Sequence, residues 1–231
     1  MRSMGWGVGS GTGADCTRDR PVRPVRPVRR RHPGYNPATM PDDAPIAALA
    51  ASLERHVGAD EEEARDRDRI LEFVRRHADP FDRRIAEGHL TGSAIVVSAD
   101  GGRVRMLHHR KLDRWLQPGG HANPGEGSGE EVALREALEE TGIVGLALHP
   151  TAPRPLDVDV HDIPARRNEP AHEHLDLRYL VTAPEDATLS PQVEELHALR
   201  WATWGEVDVL GPDRGLRRAL GKARALVEGS G

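Results

Sequence analysis

The segment that most restricts the fold lies at residues 130–141, where Val132, Ala133, Ala137 and Leu138 recur at helical spacing. Gly142 follows in the position of a C-cap glycine, so the pattern predicts one amphipathic helix with a defined end. The side away from those apolar residues carries Glu136, Glu139 and Glu140 at i, i+3 and i+4, which places three carboxylates on one helix face. Like charges so arranged repel and contribute nothing to a helix on their own. A hard divalent cation, Mg²⁺ or Mn²⁺, turns that repulsion into binding, because it takes oxygen ligands and retains water and substrate phosphates. Arg135 stands beside the cluster and can donate to a glutamate to fix its orientation. Most Glu-rich helices are simply solvated. Here the loop before the helix supplies Gly119 and Gly120, where backbone can approach an ion or phosphate closely, and a lone Glu126. The combination favours a metal site.

The rest of the chain frames this segment. Ile46, Leu49, Leu53 and Val57 read as a helix behind Asp42 and Asp43, ending at Gly58. Asp60 can cap a second helix containing Ala64, Ile70, Leu71 and Val74, which stops before Asp79-Pro80. Residues 91–98 and 104–107 flank Asp100-Gly101-Gly102 as a hairpin. Further strands are expected near 145–149, 156–163, 175–182 and 198–201, with a last helix over about 213–227. Strands with one long central helix and flanking helices imply an α/β chain whose mixed sheet is covered on both faces.

Charge is unevenly spread. Residues 1–40 hold eight arginines against two acids, a net +6, which leaves −11 for the remainder of a chain whose total is −5. The acidic share is concentrated in residues 118–143, where six glutamates face one arginine. The basic segment repeats Pro-Val-Arg three times between Pro21 and Arg29 and has too little periodic apolar surface to offset the entropy of ordering it. Three segments are therefore expected: a disordered basic Pro/Arg/Gly-rich tail over 1–39, a helical cover over 40–89, and the main domain over 90–231. Met40 reads as the start of the folded protein, and nothing catalytic is expected before it. The single cysteine, Cys16, excludes a disulfide framework and multi-cysteine metal sites. No apolar run approaches the roughly 18 residues of a membrane span. The acidic total argues against a dedicated nucleic-acid binder.

The stretch from Gly120 to Ile143 resembles the Nudix box, whose pattern is G-x5-E-x7-R-E-U-x-E-E-x-G-U with U aliphatic. Gly120, Glu126 and the run Arg135 to Ile143 match, with Ala137 at the first U position. The departure is one extra residue between Glu126 and Arg135, most simply absorbed in Gly127-Ser128-Gly129, which leaves the register of Glu136, Glu139 and Glu140 intact. The resemblance implies an α/β/α sandwich with a mixed sheet, preceded by the helical extension. It implies Mg²⁺ (or Mn²⁺) held by Glu136, Glu139, Glu140 and the Gly120 carbonyl. The implied reaction is hydrolysis of a diphosphate linkage in a nucleoside diphosphate or triphosphate derivative, with Glu139, then Glu136, as candidate base and Arg135 supporting. A cytoplasmic enzyme is expected, with a nucleoside diphosphate-linked small molecule as ligand and, dimers being common in the family, a homodimer as candidate assembly. The alternative is a non-catalytic Nudix domain that binds a nucleotide metabolite and acts as a regulator. The isomerase branch of the fold uses a catalytic cysteine, and the chain from Met40 onward has none.

Other residues carry weaker patterns. His172, His174, Asp176 and Arg178 alternate with Leu175, Leu177 and Tyr179, so they share one face of a strand. Such a stripe could recognise a nucleotide or phosphate, hold a second ion, or be ordinary solvent-facing surface. Glu126 and Glu195 are further candidates for metal ligand or base, by likeness to family members for Glu195. His109 and Arg110, in the basic turn before the box, are candidate phosphate contacts. Trp115, Trp201 and Trp204 are expected to pack.

Overall fold

The structure, a computed structural model, describes residues 44–166, 169–185, 187 and 196–229. The predicted tail over 1–39, with Cys16, lies outside the described residues, as does Glu195. In chain order the elements are α1 (Ala44–Glu54), α2 (Glu61–Arg76), β1 (Gly88–Val97), β2 (Arg103–His109), β3 (Arg114–Leu116), β4 (Gly119–His121), α3 (Gly129–Thr141), β5 (Ala147–Leu148), β6 (Asp157–Ile163), β7 (His172–Thr182), β8 (Leu196–Thr203), α4 (Trp204–Val209) and α5 (Arg214–Gly229).

β1 and β7 form the middle of a mixed sheet ordered β3–β2–β1–β7–β5, in which β4 also pairs with β1, β6 with β7, and β8 with β2. Their pairing is parallel and unbroken for ten residues, from Gly88 opposite Glu173 to Val97 opposite Thr182. Alternation along these strands sorts side chains into two layers. Leu90, Ala94, Val96, Leu175, Leu177, Tyr179 and Val181 face a core shared with Ile70, Phe73 and Val74 of α2 and with Val132, Ala133 and Ala137 of α3. Ile95, Val97 and Leu180 face a second core with Val104, Met106 and Leu216, Ala219, Leu220 and Ala223 of α5. The result is the expected helix–sheet–helix sandwich, and α1 and α2 pack into its first core.

The predicted helices and hairpin are present. Asp60 caps α2, accepting the Glu63 N–H at 2.8 Å. Ser128 caps α3, and Gly142 closes it at φ 69°, the left-handed conformation that glycine adopts without strain. Three features differ from expectation. Leu138, assigned to the packed side of α3, is 43% exposed. Gly119-Gly120-His121 is a strand, antiparallel to β1 with Gly92 opposite Gly120, rather than a loop. The short helix α4 was not anticipated, although Thr203 and Glu206 form the capping box that signals its start.

α3 lies hard against β1 at Gly92. A β-carbon there would meet the Gly129 carbonyl oxygen at 2.5 Å and the Val132 β-carbon at 2.9 Å. A buried ion network ties the helices to the edge of the sheet. Glu63, fully buried, accepts from the Ala59 N–H at 2.6 Å and pairs with His56 and Lys222. Asp157, also fully buried, binds Arg218 at 2.8 Å and Arg178 at 3.1 Å. Asp66, on α2, sits close to this network and pays for it: burial, reinforced by the charge of Asp159, pushes its carboxyl up to about 6.

Two predictions follow from this packing. Gly92→Ala forces α3 away from β1 and lowers stability by about 1–3 kcal/mol, as overpacking does. Gly221→Ala, exposed in α5 with nothing near its β-carbon, raises stability by about 0.5–1 kcal/mol; urea unfolding of the two variants reads the contrast. The raised carboxyl of Asp66 means that the folded state binds its proton more tightly than the unfolded chain, so the ionised form costs stability at neutral pH. Asp66→Asn therefore has the higher melting temperature at pH 7 to 8, and its advantage disappears as pH falls through about 6 towards the ordinary value of 3.8.

Candidate active site

α3 and β4 bring the box residues together. Gly120 lies directly beneath the Glu136 carboxylate: a β-carbon at Gly120 would meet Glu136 Oε1 at 2.6 Å, so only glycine allows this approach. The Gly119 N–H donates to Glu140 Oε2 at 2.9 Å. Glu139 projects from the same helix face and its side chain is 55% exposed.

Arg135 gathers the carboxylates. Its guanidinium donates to Glu126 Oε1 at 2.8 Å, Glu136 Oε1 at 2.8 Å, Glu139 Oε2 at 3.0 Å and the His121 carbonyl at 2.6 Å. Glu126 also accepts the Asn123 N–H at 2.8 Å, which anchors the loop despite its extra residue. Gly127 stands in open space in that loop, and Ser128 restarts the helical register. Burial works against the charge of Glu126, yet Arg135 and the Asn123 N–H hold its carboxyl below the usual range. At Glu136 burial prevails: its carboxyl is raised, with Arg135 opposing and the charges of Glu139 and Glu126 adding to the rise.

This donor set fits a hard divalent cation. Three glutamates from one helix face supply oxygens, and the Gly120 cradle leaves no side chain in the way. Glu136, Glu139 and Glu140 would hold such an ion.

A model of the NUDIX domain family matches residues 88–221, more than half of the chain. The chain belongs to the Nudix family. Among curated proteins, this Nudix chain is 34% identical over 98 residues to a Lactococcus lactis subsp. cremoris protein named "Probable DHNTP pyrophosphohydrolase", covering 42% of this chain and 55% of that one. It is 39% identical over 51 residues to a Bacillus subtilis protein provisionally named an 8-oxo-dGTP diphosphatase, covering 22% and 34%. The chain thus spans about half or less of the length of these relatives. Among solved structures, a Nudix hydrolase from Clostridium perfringens superposes with a TM-score of 0.48 at 23% identity, over 60% of this chain and 97% of that one.

The remaining sequence candidates fall elsewhere. His109 accepts the Leu112 N–H at 3.3 Å in the β2–β3 turn, and Arg110 is exposed in the same turn. The stripe on β7 is not solvent-facing surface. Asp176 is buried and accepts from Thr91 Oγ1 at 2.9 Å and Ser93 Oγ at 2.7 Å. Arg178 is buried among Asp157, Asp159 and Asp176. His172 and His174 adjoin His89 and His121, with ring centroids 4.8–5.2 Å apart in the close pairs. The sequence reading did not single out His89, since its neighbours His121, His172 and His174 come from other strands, two of them more than eighty residues away. Trp115 and Trp204 pack against the second core and Trp201 against the first.

Arg135 makes a further prediction. Arg135→Met leaves Glu126, Glu136 and Glu139 facing one another, at a cost of about 1–3 kcal/mol for the unpaired partners. The loss in melting temperature is larger in EDTA than in saturating Mg²⁺, which supplies the missing positive charge; an equal loss in both conditions contradicts the role assigned to Arg135.

Proposed function

We propose that this chain is a Mg²⁺-dependent hydrolase of a diphosphate linkage in a nucleoside diphosphate or triphosphate derivative. The observation that carries the reading is the setting of Glu136 against Gly120 and of Glu140 against the Gly119 N–H, with Glu139 on the same helix and Arg135 holding Glu136 and Glu139. The names of the two curated relatives, DHNTP pyrophosphohydrolase and 8-oxo-dGTP diphosphatase, favour a triphosphate-bearing substrate. Activity is assigned to residues 90–231, with 40–89 as a helical cover and 1–39 taking no part.

A divalent cation at the carboxylates would supply charge neutralisation for phosphate oxygens and acidify a water. The chain's own residues do the rest. Glu136 and Glu140 are held by Arg135 and by the Gly119 N–H, so they are oriented before substrate arrives. Glu139 is the most exposed of the three; Arg135 engages its Oε2, and the carboxylate is the leading candidate to accept a proton from the attacking water. Arg135 keeps the helix face assembled while it is unliganded. The regulator alternative rested on the extra box residue; Ser128 caps α3 after that loop, so the carboxylate register does not favour it.

The decisive experiment is a substrate panel with Mg²⁺: DHNTP, 8-oxo-dGTP, ADP-ribose, diadenosine polyphosphates and nucleotide sugars, read by phosphate or pyrophosphate release. At least one substrate is expected to be turned over, and Glu139→Gln lowers kcat by about 10²–10⁴-fold with an unchanged circular dichroism spectrum. Equal turnover by the wild type and that variant would overturn the mechanism. Binding without turnover of any member supports the regulator instead.

A further inference from the structure

On the face of the sheet opposite α3, the polar ends of β1 and β7 meet. His89 lies beside His174 in the parallel register, His161 of β6 lies opposite His174, and β4 places His121 opposite Thr91. Pleat alternation puts the side chains of His89, Thr91 and His121 on the side away from Gly92 and α3. Five histidines from four strands therefore share one small region. One ring nitrogen each from His89, His172 and His174 lies within 4.8 Å of the other two.

The hydrogen bonding of these rings distinguishes the cluster from a packed polar patch. His89 is 1% exposed, and among the described residues neither of its ring nitrogens has a hydrogen-bond partner. His172 is 9% exposed; its Nδ1 lies 3.0 Å from the Pro170 carbonyl, so Nδ1 carries the proton and donates it. That tautomer leaves a lone pair on Nε2, which is buried and also without a hydrogen-bond partner. A backbone carbonyl holding the distal N–H is the usual outer support of a metal-binding histidine. His121 Nε2 and His174 Nε2 are 3.1 Å apart, which requires one ring to donate to the lone pair of the other. Burial, with neighbouring positive charge adding to it, pushes His89 and His121 down to about 4. Burial lowers His174 as well.

We infer that His89, His172 and His174 form a binding site for a first-row divalent transition ion, with Zn²⁺ as the reference case, separate from the carboxylate site on α3. Neutral imidazoles are ligands for borderline ions of this kind and poor ligands for Mg²⁺, so the two faces of the sheet select different metals. Zinc–nitrogen bonds of about 2.0–2.1 Å place tetrahedral ligands about 3.3 Å apart, so the three rings close inward on binding. His121, whose Nε2 lies 3.1 Å from His174 Nε2 and whose ring adjoins His89, is a further nitrogen donor beside these three.

The two sites share β4. The Gly120 backbone lies under Glu136, while the next residue sends its carbonyl to Arg135 and its ring into the histidine cluster. An ion on the histidine face would steady the strand on which the box rests.

The test separates this site from the carboxylates by disabling the latter. The full chain carrying Glu136→Gln and Glu139→Gln is stripped with chelator and titrated with ZnCl₂ in excess Mg²⁺, by calorimetry and by elemental analysis after gel filtration. One tightly held Zn²⁺ per chain is expected. Adding His89→Gln or His172→Gln weakens it by more than the roughly 100-fold that loss of a supporting group alone costs, whereas His108→Gln with His109→Gln leaves it unchanged. Should the His89 or His172 variants fail to fold, zinc-edge X-ray absorption of the carboxylate-disabled protein decides, with at least three imidazole scatterers expected. No retained zinc, a shell of oxygen ligands, or zinc that survives the loss of His89 overturns the inference. None of these outcomes depends on whether the α3 carboxylates support hydrolysis.

Discussion

The ten-residue parallel pairing of β1 with β7 is the constraint on which the rest of this structure depends. Parallel strands need cover on both faces, since neither face can be left to water as an antiparallel ribbon's can. The pairing divides Leu90, Ala94 and Val96 from Ile95 and Val97, and so demands α2 and α3 on one side and α5 on the other. It also presents the surface on which α3 lies, with Gly92 of β1 hard against Gly129 and Val132 and Gly129 hard against Leu177 and Tyr179 of β7. The box helix is held in place by a strand that contains none of the box residues.

The same pairing explains why a polar stripe is buried. Beyond the apolar half of the second face, Thr91 and Ser93 are brought beside Asp176 and Arg178, and hydroxyls, carboxylate and guanidinium satisfy one another. Asp157 and Asp159 extend this network to α5 through Arg218. A buried charge set of this kind contributes little to net stability against an apolar alternative, but removing one member leaves the others uncompensated. Its ion pairs join β6, β7 and α5, so the loss of one member is felt in all three elements. Asp66 shows the cost: burial, with the charge of Asp159 adding to it, raises its carboxyl.

How much was legible in the sequence depended on how local each signal was. The helix over 130–141, the Asp60 cap and the hairpin at Asp100-Gly101-Gly102 are written in contiguous residues, and each appears where periodicity and turn chemistry put it. β4 was not legible as a strand: Gly-Gly-His has no β-preference, and it becomes one because β1 offers it an edge, with Ser93 of β1 pressed against Gly119 and Glu136 of α3 against Gly120. Leu138 looked like a packing residue because it is apolar, but it sits next to the carboxylate face and remains exposed. The alternation of residues 172–179 was plain, while its burial was not, because β1 and α5, which help to cover it, are distant in sequence. His89 carried no signal at all until β7 was laid beside it.

The extra residue in the box illustrates why a local departure from a motif need not disturb the chemistry the motif serves. A helix sets its register from its cap, and Ser128 caps α3 whatever the length of the loop before it. The residue upstream of the insertion, Glu126, is tied to Arg135 from the far side by two hydrogen bonds and to Asn123 N–H from its own loop. Gly127, with nothing near its β-carbon, absorbs the added length in open space. The two halves of the box are thus joined through a side chain rather than through the intervening backbone. Spacing in such a motif matters where residues share a helix, as Arg135, Glu136, Glu139 and Glu140 do, and matters little where an arginine bridges the gap.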